Sequence, residues 1–330
     1  MVRKVWIPFL ALILVVCSSA SAADVVKMNL NAIYPAGNFH SQGAEEFAKR
    51  VKEYSGGTLD IAVHPGGALG FKGPELLKTV KDGTVPMSDI LMGVVQGSEK
   101  AFGISSLPRM VTSYEEAFQL YESCKDLYDK AAAKWNQKIL YVAPWPPSGL
   151  FTTKEIKTAT DIKGLKTRTY DKNGADFLAN LGGSPVSLPW GEVYAALRTG
   201  MIDSVLTSAV SGRDAKLWEV LKYFKKIDYA YPLNMVVINL DYWKALNPNQ
   251  KAAMEKAALE VQELQWKKSA ADNEESLKAI AENGMVISET DTALAAELDQ
   301  AADTIITGFL ADAGADVASA LESFRHRKKK

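Results

Sequence analysis

Arg168 stands in the stretch GLKTRTYD, which runs from Gly164 to Asp171. Thr167, Thr169 and Tyr170 supply β-favouring side chains. The guanidinium therefore rides a short strand that feeds straight into the turn-like DKNG. Two chemistries fit. A cation on a solvated edge strand needs no partner. A cation at the mouth of a cleft can fork two parallel N–H donors onto a carboxylate, fixing orientation as well as charge. Tyr170 and Asp171, which end the strand, would share that mouth. Trp190 opens the helix-like PWGEVY, where an indole either fills a core or faces a ligand. The hydroxyls of TSAVSG, 207–212, begin with Thr207 and Ser208 and follow the strand-like MIDSVL. Strand exits are the usual ligand edge of α/β domains; a polar loop is the alternative. Trp145 lies in APWPPSG, whose stiff prolines suit either a hinge or a pocket wall.

Catalytic and metal chemistry find no comparable pattern. The histidines are His40, His64 and His326, and none has a partner at metal-ligand spacing. HExxH and any cysteine pair are absent. GGALGFKG, 66–73, lacks the spacing of a phosphate loop and reads as a turn before a helix. Neither GxGxxG after a strand nor GxSxG occurs. Serines and aspartates without a base histidine make no triad. No catalytic residue, metal site or cofactor is expected, and a binding constellation is what remains.

The first 22 residues read as an export signal. Arg3 and Lys4 precede an apolar run from Val5 to Val16, broken by Pro8, and ASAA at 20–23 offers cleavage after Ala22. The run is shorter than the roughly 20 apolar residues a membrane span needs. Cys17 raises lipidation as an alternative, although Val16 before it is not small. Cleavage leaves Cys124 alone, so no internal disulfide is expected and stability must come from the core. Hydrophobic content of 47% and charged content of 23% are those of a globular protein. The 330-residue chain is long enough for two domains. Its net charge is −1, with basic residues concentrated in the terminal RHRKKK, 325–330, which reads as a solvated tail. The body is mildly acidic and shows no basic stripe interleaved with aromatics, which excludes nucleic acid as an expected partner. The expectation is an exported, periplasmic monomer.

Strand and helix patterns alternate along the body. Strands are expected at 25–33, 58–64, 87–95, 138–145, 165–171, 185–189, 201–208, 233–240 and 285–290. Helices are expected at 39–57, 73–83, 113–135, 173–183, 190–200 and 215–224, with a final helical region over 291–324. The alternation predicts an α/β fold with a largely parallel sheet in each of two blocks. One element is too long for a single block. From Asn247, a cap followed by Pro248 at N1, an apolar stripe continues to Asn283-Gly284. At 1.5 Å per residue such a helix spans about 50 Å, so it either breaks or crosses both blocks.

The segment DIKGLKTRTYDKNGADFLANLGGSPVSLPWGEVYAALRTGMIDSV resembles the central signature of the substrate-binding subunit of tripartite ATP-independent periplasmic (TRAP) transporters, the DctP-like family. HPGGALG, DGTVPMSDI, SLP at 106–108 and the long helix add to the likeness. The resemblance implies a two-lobed α/β binding protein with crossing strands and a hinge, closing on one small organic anion. It implies lobe I at 24–145 plus about 234–270, and lobe II at 146–233 plus about 271–324. It places the ligand-carboxylate arginine at Arg168 and the pocket aromatic at Trp190. Asn31 matches a polar ligand-facing position at the end of the first strand. An asparagine usual in the family falls at Thr207. A second arginine of sialic-acid binders falls near Ser148 and is missing, which argues against sialic acid. In the pocket so implied, the rings Tyr34, Trp145, Tyr170, Trp190 and Tyr231 outnumber second cations, which favours a monocarboxylate, cyclic or aromatic, over a dicarboxylate. The implied function is a receptor delivering a small organic acid, such as pyroglutamate or a benzoate-like acid, to TRAP membrane subunits. A sensor of the same fold without a transporter is one alternative. An exported lyase or hydrolase is the other.

Overall fold

The computed structural model describes residues 25–328, with side chains through Arg325; the expected signal peptide and Cys17 lie outside that range. In chain order the elements are β1 (Val26–Asn31), α1 (Phe39–Tyr54), β2 (Leu59–His64), α2 (Leu76–Lys81), β3 (Met87–Leu91), α3 (Tyr114–Lys134), β4 (Gln137–Pro144) and β5 (Ser148–Thr152). Next come β6 (Lys166–Thr169), α4 (Lys172–Asn180), β7 (Ser184–Ser187), α5 (Val193–Arg198), β8 (Ser204–Ser208), α6 (Ala209–Asp214) and β9 (Tyr223–Lys226). The chain then returns through β10 (Leu233–Asn239), α7 (Leu240–Ala245) and α8 (Pro248–Glu282), and ends in β11 (Val286–Glu289), α9 (Thr292–Asp312) and α10 (Ala315–Lys328).

Two sheets result. The first has the order β2-β1-β3-β10-β4 and the second β11-β9-β5-β8-β6-β7. Each is mixed rather than largely parallel. β10 runs antiparallel to β3 and β4, and β5 runs antiparallel to β8 and β9. The reversed strands are the ones that carry the chain between lobes. The crossings also pair with each other. Trp145 N–H donates to the Pro232 carbonyl at 2.7 Å, Ser148 N–H to Ala230 at 3.1 Å, and Tyr229 N–H to Ser148 at 2.9 Å. These three backbone bonds tie the two crossing segments together between the β4·β10 and β5·β9 pairings.

The long helix does cross. α8 is continuous over 35 residues, with Asn247 and Gln250 forming a capping box and Pro248 in its first turn. Met254, Ala257, Ala258 and Val261 pack in a cluster of the first lobe, and Ile280 packs in one of the second. Between them the buried positions are polar: Gln265, Ser269, Asp272 and Ser276. A helix leaving one apolar core for another passes through a region with neither.

Three expectations are corrected. Residues 215–224 are not a helix. Lys216 is left-handed at φ 50°, a single tight turn covers Leu217–Glu219, and Tyr223–Lys226 becomes β9. Its apolar spacing suits either structure in a short run, and the open edges of β5 and β11 decide it. The strand expected at 87–95 stops at Leu91 and continues as a tight turn. The end of the chain, assigned by sequence to lobe II through residue 324, divides. Leu294, Leu298 and Ala301 of α9 pack in the second lobe, whereas Val317, Leu321 and Phe324 of α10 pack in the first, beside Cys124 and Tyr128 of α3. Cys124 is fully buried, which pushes its thiol up to about 12.

Candidate functional site

Where β6 leaves the second sheet, Arg168 is its third residue and pairs across to Val186 and Val205. It is 6% exposed. Its Nε donates to the Leu188 carbonyl at 3.1 Å, and its guanidinium carbon stands 5.4 Å from the centroid of the Trp190 ring. Among the described residues no carboxylate forms an ion pair with it. Burial draws its pKa down to about 10, against the opposing pull of Tyr34, Tyr170 and Asp171. A buried cation with no anion of its own costs folding stability. A ligand anion would supply the missing charge.

Arg168 lines a cavity of about 510 Å³ between the lobes. The second lobe contributes Tyr170, Asp171, Trp190, Thr207 and Ser208 to its wall. Each is placed by a strand exit or helix start. Asp171 caps α4, accepting from Gly174 N–H at 2.8 Å, and Ser208 caps α6, accepting from Ser211 N–H at 3.2 Å. Burial raises the Asp171 carboxyl to about 6. The first lobe contributes Ile33, Tyr34, Leu91 and Val94, and the crossing contributes Trp145 and Pro232. Trp145 donates its indole N–H to Asn234 Oδ1 at 2.8 Å. The rings of Tyr34 and Phe39 meet it edge-on at 4.9 and 5.3 Å. One apolar cluster, holding Tyr34, Phe39, Leu91, Trp145 and Val210, draws on both lobes.

The lobes also touch across the cleft. Asn38, the cap of α1, donates from Nδ2 to Asp214 Oδ2 at the end of α6 at 2.7 Å. Asn173 of α4 donates to the Gly103 carbonyl at 2.9 Å.

Seven of the nine ligand-facing residues expected from sequence therefore line one cavity. Asn31 and Tyr231 do not. Asn31 ends β1 opposite Ser88 of β3, and its Nδ2 donates to Ser88 Oγ and the Phe71 carbonyl, both at 3.3 Å. The cross-strand partner takes the side chain, and Ile33 and Tyr34 beyond it reach the cleft. Tyr231 packs against Tyr114 and donates its hydroxyl to the Thr112 carbonyl at 3.2 Å; its neighbour Pro232 faces the cleft instead. The expected poverty of second cations also needs amendment. Lys72 and Lys172 both border the cavity. Lys172 pairs with Asp176, whereas exposed Lys72 has no ion pair among the described residues. Lys72 and Gly73 belong to the loop read from sequence as a plain turn. Ser148, at the position of the missing second arginine, lines the cleft and lies 3.3 Å from the Tyr170 hydroxyl. No described cluster of histidine, cysteine or acidic side chains is built to hold a metal.

This geometry has counterparts. A solved Bordetella pertussis extracytoplasmic solute receptor binding pyroglutamic acid is 32% identical, with a TM-score of 0.89 over 91% of this chain and 100% of that one. A marine metagenome TRAP solute-binding protein specific for pyroglutamate is likewise 32% identical, with a TM-score of 0.89 over 92% of this chain and 99% of that one. The Escherichia coli 2,3-diketo-L-gulonate-binding periplasmic protein is 26% identical over 289 residues, 85% of this chain and 87% of its own. Residues 30–312 match the model of bacterial extracellular solute-binding protein family 7, DctP. The chain belongs to that family of solute receptors.

Proposed function

We propose that the cleft receives a small monocarboxylate carrying a ring, with pyroglutamate the first candidate, and that the receptor delivers it from the periplasm to TRAP membrane subunits after export and cleavage near Ala22. The observation that carries the reading is Arg168: a buried guanidinium bordering a cavity, without an ion-pairing carboxylate of its own. A ligand carboxylate accepts its two parallel donors. Trp145, Trp190 and Tyr34 offer flat surfaces to the rest of the ligand, and Thr207, Ser208 and Asp171 offer polar contacts. The two solved receptors that share 32% of their residues with the chain are both described as binding pyroglutamate. On this reading the bound acid leaves the cleft unchanged.

The test is a thermal-shift panel of organic acids on refolded, ligand-stripped protein. A ligand at 100 times its dissociation constant stabilises by about 2.7 kcal/mol. Pyroglutamate and its ring analogues should raise the melting temperature. A rise with dicarboxylates alone would assign Lys72 a partner carboxylate and overturn the monocarboxylate reading. Conversion of the acid during incubation would identify an enzyme.

A further inference from the structure

Asn234 and Asp89 lie behind the cleft wall and are each 1% exposed. Asn234 of β10 stands opposite Leu91 of β3, and Asp89 stands opposite Val236. The two are thus diagonal neighbours on one sheet face. Asn234 Nδ2 donates to Asp89 Oδ1 at 2.7 Å. The side-chain Oδ1 of Asn234 accepts from Trp145 Nε1 at 2.8 Å and from the Tyr34 hydroxyl at 3.5 Å. An indole nitrogen only donates. The amide must therefore turn its oxygen to Trp145 and its NH₂ away, toward Asp89, which has a carboxylate oxygen to accept it.

The arrangement is costly as core. Asp89 Oδ2 has no hydrogen-bond partner among the described residues. A half-satisfied buried polar group destabilises more than an apolar side chain of similar size would. What the pair accomplishes is the fixing of one indole. The faces and edges of Trp145 are already restrained by Tyr34, Phe39 and His40, the last at 4.4 Å between centroids. Holding its N–H as well removes the remaining freedom of the ring to flip.

We infer that Asn234 and Asp89 are positioning residues for ligand binding: through the Trp145 indole N–H they hold the aromatic wall of the cleft in one orientation, and so set the preference for flat-ringed acids over open-chain acids of equal charge. The inference rests on the reading of the cleft as a carboxylate receptor. Asp89 acts on Asn234, Asn234 acts on Trp145, and of these three only Trp145 lines the cleft.

The experiment has two arms on the full mature chain. The first needs no ligand. The near-ultraviolet circular dichroism of Trp145 is the difference between wild type and Trp145→Phe. Asn234→Leu and Asp89→Leu should lose that difference band, whereas Asp89→Asn, whose amide oxygen still accepts, should keep it. Should Asn234→Leu fail to fold, Asn234→Ala takes its place. The second arm is calorimetric titration with pyroglutamate and with levulinate, an open-chain acid with a similarly placed carbonyl. The Leu variants should lose at least fivefold in the pyroglutamate-to-levulinate affinity ratio, and Asp89→Asn should restore it. Folded Leu and Ala variants that keep both band and ratio would overturn the inference, even with lowered melting temperatures. If wild type binds neither acid, the ligand reading fails, and the dichroism arm still decides whether the pair holds Trp145.

Discussion

Asp171 Oδ2, in the second lobe, sits against Gly93 of the first so closely that a Cβ on Gly93 would overlap it. The same Cβ would press on Ser106 Oγ, 2.8 Å away. Asp171 is also the cap that starts α4 and part of the cleft wall. The absence of a side chain at Gly93 is thus what lets the lobes approach on this flank. Gly93→Ala should hinder closure. Pyroglutamate affinity should fall at least tenfold, about 1.4 kcal/mol. Small-angle scattering should show a ligand-saturated radius of gyration nearer the ligand-free value. An Ala variant that closes and binds as wild type would show that Asp171 simply steps aside.

At a second contact between the lobes, Asn38→Asp keeps a cap for α1, since aspartate accepts the same N–H. It also sets a carboxylate against Asp214. Like charges at that distance repel, so the variant should bind more weakly at neutral pH and gain affinity with added salt. Asn38→Ser, a cap without the cross-lobe donor, should fall between the two. Equal affinities for all three proteins in calorimetry would remove this contact from the closing mechanism.

Arg168→Ala should weaken ligand binding by roughly 30-fold to several thousand-fold, the equivalent of about 2–5 kcal/mol for one partner of a buried charge pair. Arg168→Lys should stay clearly impaired, because one ammonium does not reproduce the fork. Ligand-free protein should behave in the opposite sense. Burial lowers the Arg168 pKa, so the cation opposes folding, and Arg168→Met should melt no lower than wild type. A strongly lowered ligand-free melting temperature would make Arg168 a structural residue.

Trp190 is half-buried beside the Arg168 guanidinium. Ligand arriving at Arg168 should change its emission. Trp190→Phe should remove most of the ligand-induced fluorescence change while leaving the far-ultraviolet dichroism intact. If the full signal survives, Trp145 is the reporter.

Burial raises the Asp89 carboxyl from 3.8 to about 7. A folded-state pKa above the unfolded one means that the folded protein holds more protons between those values. Stability from this group is then fully present below about pH 4 and lost as pH rises to about 7. His40 works the other way: burial lowers it to about 3, so its share of stability is lost as pH falls. Comparing wild type with Asp89→Asn isolates the aspartate. Urea midpoints should show the variant gaining on wild type between pH 4 and 7. Parallel curves would mean that Asp89 titrates normally.

What could be read in the sequence was local. Arg168, Tyr170 and Asp171 follow from a strand that ends in a capped helix, and Thr207 and Ser208 from a strand exit; both signals lie within a few residues. α8 announced itself by its cap, its proline and its length. What escaped depended on partners far along the chain. Asn31 is turned by Ser88, 57 residues away. Tyr231 is turned by Tyr114 and Thr112. β9 has helical apolar spacing, and only the edges of β5 and β11 make it a strand. Asn234 and Asp89 gave no signal, because two polar residues inside apolar strands declare themselves only when the strands pair.

The pairing of the two crossing segments has a consequence for how the receptor lets go of its cargo. A hinge made of loose loops would exchange hydrogen bonds with water each time it moved. Here backbone hydrogen bonds at Trp145, Ser148 and Tyr229 tie the two crossing segments to each other between the sheets, so the pair can twist as a unit while keeping them. Bending and unbending such a pair leaves the backbone accounts nearly unchanged. The residence time of the bound acid is then governed by a handful of side chains bordering the cleft. It should be adjustable over a wide range by surface substitutions at its rim, with the melting temperature of the ligand-free protein held constant.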